Sequence, residues 1–411
     1  MLTDRAIALV KATVPVLEQH GETLTRHFYR RMFEKNPEVA PLFNPANQSQ
    51  GTQQKALAAA ICSYAANIDN LEVLGGAVEL IAQKHASLQI QAEQYPIVGE
   101  NLLASIREVL KDVATDEIID AWGEAYQFLA DILIGRERQI YHEHESALHG
   151  WKGFKPFRVI RVEPESEIIV SFYLEPADGQ GLPAFKPGQY ISVRVPTPDG
   201  STTMRNYSLS DKPGQSWFRV SIKREMAPAA DAADGFVSNF FHDKVQEGTT
   251  IEVGPPCGEF FLDLPEKHER PLVLLAAGIG ITPLLSMLLS AEEATPDRQI
   301  FFLHACLNGR VHAFKKTVDH LAEEHPNLVV RYRYNFPTDA DRAQVERGDI
   351  GEGVIDAELI EDLIPDHDGD YYFCGPKPFM VGIYHQLLMW GMPPAQAHFE
   401  FFGPRQELQR A

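Results

Sequence analysis

Residues 72–88 read EVLGGAVELIAQKHASL and place a histidine on the apolar side of a predicted helix. Leu74, Val78, Ile81, His85 and Leu88 recur at steps of three and four residues, which is the spacing of one stripe of an amphipathic helix. A histidine in such a stripe is either a core residue hydrogen-bonded to a neighbour or a ligand to a buried iron. The stretch alone leaves both interpretations open.

The composition limits the classes of protein that the chain can belong to. With 411 residues it is too long for one hydrophobic core, which predicts two or three domains. Its formal net charge of -20 argues against nucleic acid and anionic membranes as partners. The four cysteines form no CxxC pair, and Thr3 and Asp4 resemble a helix cap rather than part of a signal peptide. We therefore expect a cytoplasmic protein.

Residues 1–150 are expected to form an all-α domain, either a bundle or a globin-like fold. Helix-length apolar periods run through 4–20, 22–35, 52–68, 72–88, 96–113 and 117–148, with proline-containing breaks between several of them. Tyr29, Phe43, Gln53 and Glu137 break the usual inside-outside pattern of these helices. Each alone is compatible with satisfied core polarity, but together with His85 they supply the groups of one polar pocket with apolar walls.

Residues 151–265 change to short β-rich runs. Six such runs within this stretch predict a small antiparallel barrel. Two motifs stand out, Arg205-Asn206-Tyr207-Ser208 and the GFVSN sequence that begins at Gly235. A glycine and a serine at a helix start expose backbone N–H groups suited to a pyrophosphate.

Residues 266–411 alternate strands and helices, which predicts a doubly wound parallel sheet. The apolar stretch 271–291 is long enough to span a bilayer, but Gly278, Gly280 and Pro283 interrupt it. A buried strand, a tight loop and a helix explain it better. The loop differs from GxGxxG because proline replaces the third glycine. Cys374, after a late strand, is either a thiol placed near a nicotinamide or a small buried apolar residue.

The amino-terminal motifs resemble the globin domain of the bacterial flavohaemoglobins. They are HFYRRMF (27–33), PLFN (41–44), TQQKAL (52–57), IAQKH (81–85) and YPIVGENLL (95–103). The resemblance implies that His85 is the metal ligand of a haem b, with Tyr95 and Glu137 hydrogen-bonded behind it. It also implies a haem pocket that contains Tyr29, Phe43, Gln53, Leu57 and Lys84.

The later motifs resemble a ferredoxin-reductase-type FAD and NAD(P)H module, so the resemblance covers essentially the whole chain. It implies that Tyr207 stacks on the flavin, that Arg205 pairs with phosphate and that Ser208 lies near flavin N5. The implied FAD contacts are Tyr190, Arg205, Asn206, Tyr207, Ser208, Gly235, Val237 and Ser238. The implied NAD(P)H contacts are Ala276, Ala277, Gly278, Ile279, Gly280, Ile281, Thr282, Cys374, Gly375 and Pro376. In the implied terminal segment, Phe402 would cover the flavin and Glu400 would influence its potential. The segment consists of Glu400, Phe401, Phe402, Gly403 and Pro404.

The resemblance divides the chain into a globin domain (1–150), a FAD-binding barrel (151–265) and an NAD(P)H-binding domain (266–411). It implies a monomeric nitric oxide dioxygenase in which NAD(P)H electrons pass through FAD to haem b, and nitric oxide and oxygen become nitrate. Two alternatives stay open: a haem-flavin reductase of alkyl hydroperoxides or oxygen, and a non-catalytic gas sensor. The LVVRYRY run is followed by Asn335 and Phe336, with no arginine there to pair with the 2′-phosphate of NADPH, which favours NADH. Arg331 and Arg333 could still reach a 2′-phosphate. The alanine-rich stretch 226–234 is longer than the family leads us to expect.

Overall fold

Helices build the amino-terminal part of the chain. The computed structural model describes residues 2–43, 48, 51–227, 233–264 and 270–403. The helices of this part are α1 (Asp4–Ala12), α2 (Val14–Lys35), α3 (Thr52–Ala66), α4 (Gly75–Ser87), α5 (Tyr95–Leu110) and α6 (Asp116–Ser146). Their apolar faces enclose a core in which Leu24, Phe28, Met32 and Trp122 are buried. The predicted all-α globin fold class is confirmed.

The first helix boundary differs from the prediction of one helix over 4–20 and another over 22–35. The chain breaks at Thr13 instead, where the hydroxyl donates to the Val10 carbonyl at 2.6 Å. Pro15 then occupies the first turn of α2, where its missing N–H costs no helical hydrogen bond. Gly21 does not end a helix, because it lies inside α2. A Cβ there would approach the Ala58 Cβ to 3.3 Å, so the glycine lets α2 and α3 pack closely.

A six-stranded antiparallel sheet follows in the described residues, as predicted. Its strands are β1 (Lys155–Pro164), β2 (Ile169–Pro176), β3 (Tyr190–Pro196), β4 (Thr202–Ser208), β5 (Phe218–Lys223) and β6 (Thr250–Val253), in the order β4-β3-β6-β1-β2-β5. A bridge between Leu209 and Val220 brings the two edge strands together, so the sheet curls into a barrel. Helix α7 (Phe236–Lys244) packs on the barrel through Phe241, whose ring lies 5.1 Å from that of Phe172.

The carboxyl-terminal part is the predicted doubly wound parallel sheet. Its strands are β7 (Leu272–Ala277), β8 (Ile300–Cys306), β9 (Leu328–Tyr334), β10 (Gly351–Glu352), β11 (Asp370–Cys374) and β12 (Ala397–Glu400), in the order β10-β9-β8-β7-β11-β12. Its helices are α8 (Ile281–Ala294), α9 (Lys315–Glu324), α10 (Arg342–Glu346), α11 (Ala357–Leu363) and α12 (Lys377–Met389). Leu274 and Leu275, adjacent on β7, belong to apolar clusters on opposite faces, so both sides of the sheet are covered.

The apolar stretch 271–291 forms a strand, a loop and the start of a helix, as its glycines predicted. Strand β7 ends at Ala277, and α8 begins at Ile281. Across the described part of the chain, no helix combines the length and the apolar character that crossing a membrane requires.

Candidate functional site

Three side chains from three helices meet behind the stripe that carries His85. The His85 Nδ1 lies 2.7 Å from the Glu137 Oε1 and 3.0 Å from the Tyr95 hydroxyl. Tyr95 donates to the same Glu137 oxygen. Burial, followed by the hydrogen bond to Glu137, raises the pKa of Tyr95, so its phenol stays protonated and donates. A buried carboxylate is therefore satisfied by two donors, which is the condition for keeping its charge inside a protein.

Local sequence places these groups. Tyr95 is the first residue of α5, where Pro96 suits the first turn, and its backbone carbonyl accepts a 2.6 Å bond from the Tyr126 hydroxyl. Glu137 is 2% exposed on the inner side of α6. Because Nδ1 of His85 is occupied, Nε2 is the nitrogen available for a metal bond.

The His85 stripe is less buried than the periodicity predicted. Its side chain is 33% exposed, and Val78 and Ile81 are also half-buried. The fully buried positions of α4 are Ala82, Ala86 and Ser87, and the two alanines belong to the apolar cluster that includes Tyr95 and Leu133. A half-buried apolar stripe beside an available imidazole nitrogen fits a flat, apolar, iron-bearing group.

A second group of side chains surrounds Tyr29. Its ring centroid lies 5.7 Å from that of Phe43 and 5.9 Å from that of Phe33, and Leu57 packs against the same cluster. The side chain of Gln53 is hydrogen-bonded to Tyr29, while its Oε1 accepts from Gln48 at 2.9 Å. Burial raises the pKa of Tyr29, so its hydroxyl remains a neutral donor.

The Tyr29 cluster and the cluster around His85 meet at Tyr126 and Leu129, which pack against both. The structure therefore assembles the predicted phenol, amide, imidazole and carboxylate within one helical domain.

Lys84 connects α4 to the carboxyl-terminal segment. Its Nζ donates to the Gly403 carbonyl at 3.2 Å, and its place in the haem pocket stays a prediction. Two further contacts join α4 to the barrel domain: the Gly258 N–H donates to Gln83 at 3.0 Å, and Asn206 donates to the Ser87 hydroxyl at 3.1 Å. Gln83 and Ser87 were missed by the sequence reasoning. Their signal is a polar edge at positions 83, 84 and 87, beside the apolar stripe.

Strands β3 and β4 carry most of the predicted FAD contacts. Tyr190 pairs with Ser208 and Asn206 opposes Ser192, so Asn206 and Ser208 share the face that reaches α4. Tyr207 and Arg205 lie on the other face. The Tyr207 ring sits edge-on to Phe241 of α7 at 5.9 Å.

Arg205 is half-buried next to Tyr207. Its Nη1 donates to the Met204 carbonyl at 2.5 Å. Burial lowers its pKa, and the nearby Tyr207 opposes that shift. A partly desolvated guanidinium interacts strongly with a phosphate group, which makes this face suitable for one.

Helix α7 begins next to β5 without a side-chain cap. Gly235 occupies the cap position, and Ser238 donates to the Gly235 carbonyl at 2.9 Å while accepting from the Glu225 N–H at 3.2 Å. Val237 is buried. The first backbone N–H groups of a helix have no partner within the helix, so this first turn can accept a pyrophosphate. Residues 228–232 of the long preceding stretch lie outside the described residues.

Two loops of the NAD(P)H domain lie side by side at the carboxyl ends of β7 and β11. The first is formed by Ala276, Ala277, Gly278, Ile279, Gly280, Ile281 and Thr282, and the second by Cys374, Gly375 and Pro376. A Cβ on Gly280 would lie 2.1 Å from the Cys374 carbonyl oxygen, so only glycine fits there. Gly278 has a φ of +55°, which glycine adopts freely. Helices α8 and α12 thus begin beside each other, at the edge where parallel sheets bind nucleotides.

The terminal segment completes this edge. Strand β12 pairs Glu400 with Cys374. Burial raises the pKa of Glu400 to about 8, and Lys84 partly offsets that rise. Burial, with a contribution from Glu400, also raises the pKa of the Cys374 thiol, so it stays neutral. Phe401 packs on the α12 side of the sheet, Phe402 is 51% exposed, and Pro404 lies outside the described residues.

Comparisons with known proteins agree with this architecture. Residues 26–133 match the globin family, residues 159–262 match an oxidoreductase FAD-binding domain, and residues 274–385 match an oxidoreductase NAD-binding domain. The chain is therefore an oxidoreductase that joins a globin to an FAD- and NAD-binding module.

Its relatives identify the family. A flavohemoprotein of Rhodopirellula baltica is 50% identical over 409 residues, covering 99% of each chain. One of Bacillus subtilis is 43% identical over 414 residues, covering 100% of each. The chain belongs to the flavohemoprotein family.

Solved structures give the same result for the fold. The flavohemoglobin of Malassezia yamatoensis, with bound FAD and heme, has a TM-score of 0.79 at 24% identity and covers 98% of this chain and 100% of its own. The FAD/NAD-binding domain of a nitric oxide dioxygenase from Vibrio cholerae is 32% identical with a TM-score of 0.54, over 61% of this chain and 99% of its own.

Proposed function

We propose that this chain is a nitric oxide dioxygenase, in which electrons from NAD(P)H pass through FAD to haem b and nitric oxide is converted to nitrate. The observation that carries the proposal is the hydrogen-bonded set of His85, Tyr95 and Glu137. Membership of the flavohemoprotein family supports it, as does the similarity of the reductase half to the domain of a named nitric oxide dioxygenase.

The residues present suit the cofactors that the proposal requires. FAD accepts a hydride and releases electrons singly, and haem iron takes one electron at a time and binds oxygen. His85 would hold the iron through Nε2. Arg205, Tyr207 and the first turn of α7 would hold the FAD, and the loop from Gly278 to Thr282 the pyrophosphate of NAD(P)H.

The carboxylate behind His85 favours oxygen chemistry over mere gas binding. Glu137 Oε1 accepts from Nδ1 at 2.7 Å, which gives the imidazole partial imidazolate character. Tyr95 donates to the same oxygen and fixes the carboxylate in place. An electron-rich ligand raises electron density on iron and promotes oxygen activation, which a passive sensor does not need.

Tyr29 supplies the hydrogen-bond donor on the side of the pocket opposite His85. Its hydroxyl stays protonated, because burial raises its pKa, and it can donate to an oxygen atom that gains negative charge. Such charge-assisted hydrogen bonds are about twice as strong as neutral ones. Gln53, hydrogen-bonded to Tyr29, orients the phenol. The aromatic rings of Phe33 and Phe43 keep water away from this donor.

Helix α4 links the two redox halves. It carries His85, and two residues later Ser87 accepts a 3.1 Å hydrogen bond from Asn206. Asn206 precedes Tyr207 on β4. The proposed iron ligand and the proposed flavin contact are therefore separated by one hydrogen bond and two short stretches of backbone, which suits single-electron transfer.

The remaining proposals concern the setting of the enzyme. All four cysteines are free thiols, which favours a cytoplasmic location. One chain contains all three modules, so a monomer is sufficient for the reaction. Either NADH or NADPH can be the donor, with NADH favoured by Asn335 and Phe336 after β9.

The test is NADH oxidation by the purified holoprotein in air, with and without nitric oxide. We expect nitric oxide to accelerate oxidation and nitrate to form in a ratio of about two per NADH, since each turnover consumes one electron. No acceleration and no nitrate would refute the dioxygenase. A response to alkyl hydroperoxides alone would identify the reductase alternative. Comparing kcat/KM for NADH and NADPH determines the coenzyme.

A further inference from the structure

A second histidine cluster lies in the NAD(P)H domain, away from His85. His304 and Cys306 are two residues apart on β8, so their side chains leave the same face of the sheet. His312 follows a short helical turn over Gly309–Val311 and folds back over them. All three side chains are buried, at 1%, 5% and 6% exposure. The ring centroids of the two histidines are 4.9 Å apart.

Each histidine has one nitrogen engaged and one available. His304 Nε2 lies 3.1 Å from the Gly278 carbonyl, so this nitrogen carries the proton and donates. His312 Nδ1 lies 2.8 Å from the Tyr334 hydroxyl. Among the described residues, His304 Nδ1 and His312 Nε2 have no hydrogen-bond partner. A buried polar atom without a partner costs about 1–3 kcal/mol, so this arrangement needs an explanation.

We propose that His304 Nδ1, His312 Nε2 and Cys306 Sγ bind a thiophilic divalent metal ion of the zinc type. One ligand atom from each of the three residues lies within 4.8 Å of the others. Tetrahedral zinc has bonds of about 2.0–2.3 Å to nitrogen and sulfur, which separates its ligands by roughly 3.5 Å. Closure around the ion thus needs side-chain movements of about 1 Å.

The chemistry of the donors selects the metal. Two imidazoles and a thiol suit zinc and exclude magnesium and calcium, which take oxygen ligands. The bonds from His304 to Gly278 and from His312 to Tyr334 are the outer hydrogen bonds that orient metal-binding imidazoles. Three protein ligands leave the fourth position of the tetrahedron for a water molecule.

Neighbouring charges permit the ion. Metal binding displaces the proton of Cys306 to solvent, so the ligand set contributes one negative charge. Asp341 lies within electrostatic reach of Cys306. Lys315, near His312, is a positive charge that would repel the metal ion. Its charge is largely balanced because its Nζ forms a 2.6 Å ion pair with Asp319.

The experiment uses the full-length holoprotein with zinc as the probe. After incubation with zinc and gel filtration, elemental analysis should give one zinc per chain. Zinc-edge X-ray absorption, which haem iron does not obscure, should give one sulfur neighbour at about 2.3 Å and nitrogen neighbours at about 2.0 Å. Absence of zinc, or zinc with only nitrogen and oxygen neighbours, overturns the proposal.

Cysteine-to-serine variants identify the residue that supplies the sulfur neighbour of zinc. Cys306→Ser should remove the sulfur neighbour, whereas Cys62→Ser and Cys257→Ser should keep it. Cys257 is the demanding control, because its Sγ lies 3.9 Å from the His144 Nε2. A sulfur signal that survives Cys306→Ser and disappears in Cys257→Ser overturns the proposal.

Histidine variants provide a second route if circular dichroism shows that Cys306→Ser is unfolded. His312→Asn, in a loop, should reduce bound zinc well below one per chain, because it removes one of the three protein ligands. His320→Asn, on the exposed side of α9, should leave it unchanged.

Tyr334 is a positioning residue in this proposal. Tyr334→Phe should weaken zinc binding by about 10- to 100-fold without changing the sulfur neighbour. Unchanged affinity would contradict its role. None of these outcomes depends on nitric oxide turnover, so the metal site can fail while the proposed function stands.

Discussion

The two histidine clusters differ in the group that stands behind the imidazole. Behind His85 is the buried carboxylate of Glu137, at 2.7 Å. Behind His304 is the neutral carbonyl of Gly278, at 3.1 Å. A carboxylate pulls on the ring proton and makes the opposite nitrogen a stronger electron donor, whereas a carbonyl mainly fixes the tautomer.

One residue type thus serves two kinds of chemistry in this chain. Burial lowers the pKa of His304 to about 4. Its imidazole therefore stays neutral throughout the physiological pH range and can donate an electron pair to a metal. Such a histidine suits a redox-inert ion. His85, with a carboxylate and a phenol behind it, suits an iron that must activate oxygen. Three substitutions test this distinction.

Removing the His85 imidazole should have the largest effect. In His85→Ala, nitric oxide-dependent NADH oxidation should fall to background, because the iron loses its protein ligand, and added imidazole should restore part of it. Haem content and the Soret spectrum measure the loss directly. His320→Ala, on the surface of α9, is the matched control. Full turnover in His85→Ala would defeat the ligand assignment.

Removing only the negative charge of Glu137 makes the His85 cluster resemble the His304 cluster. Glu137→Gln keeps an acceptor near Nδ1 but removes the carboxylate, so turnover with nitric oxide should fall by about 10- to 100-fold while haem stays bound. Resonance Raman should show a lower iron-histidine stretching frequency.

Glu79→Gln is the control for that change. Its carboxylate bridges the same two helices through Arg136 at 2.7 Å, and its described hydrogen bonds are with Arg136 and Gln83. Both readouts should keep their wild-type values in this variant. An unchanged stretching frequency in Glu137→Gln would remove the proposed difference between the two clusters.

The smallest effect is expected from a change at Tyr29, on the side of the pocket opposite His85. Tyr29→Phe removes one hydroxyl donor, so oxygen should dissociate on the order of tenfold faster, as expected for a charge-assisted hydrogen bond. Stopped-flow displacement of oxygen measures the rate. Tyr64→Phe removes a hydroxyl bound to the Ala125 carbonyl in the same core and should leave the rate unchanged. A wild-type rate in Tyr29→Phe would refute the donor role.

The three-part fold could be predicted from local patterns. Periods of 3.6 and 2 residues distinguish helices from strands, and the glycines at 278 and 280 mark the loop after β7. Strands β10 and β12 were not predicted, because two and four residues are too short for a periodic signal. The break at Thr13 was also missed, because the predicted ranges placed the boundary at Gly21. That glycine lies inside α2, where it allows close packing with α3.

Helical periodicity was sufficient to predict that His85 lies on an apolar stripe, and resemblance to a family supplied Tyr95 and Glu137 as its partners. The folded chain was needed to see that Lys84 and Ser87, on the same helix, contact the reductase half, and that His312 joins His304 and Cys306. The physical reason is that periodicity reports which side of an element is apolar. Contacts between residues distant in sequence depend on how the elements pack, and no local pattern records that.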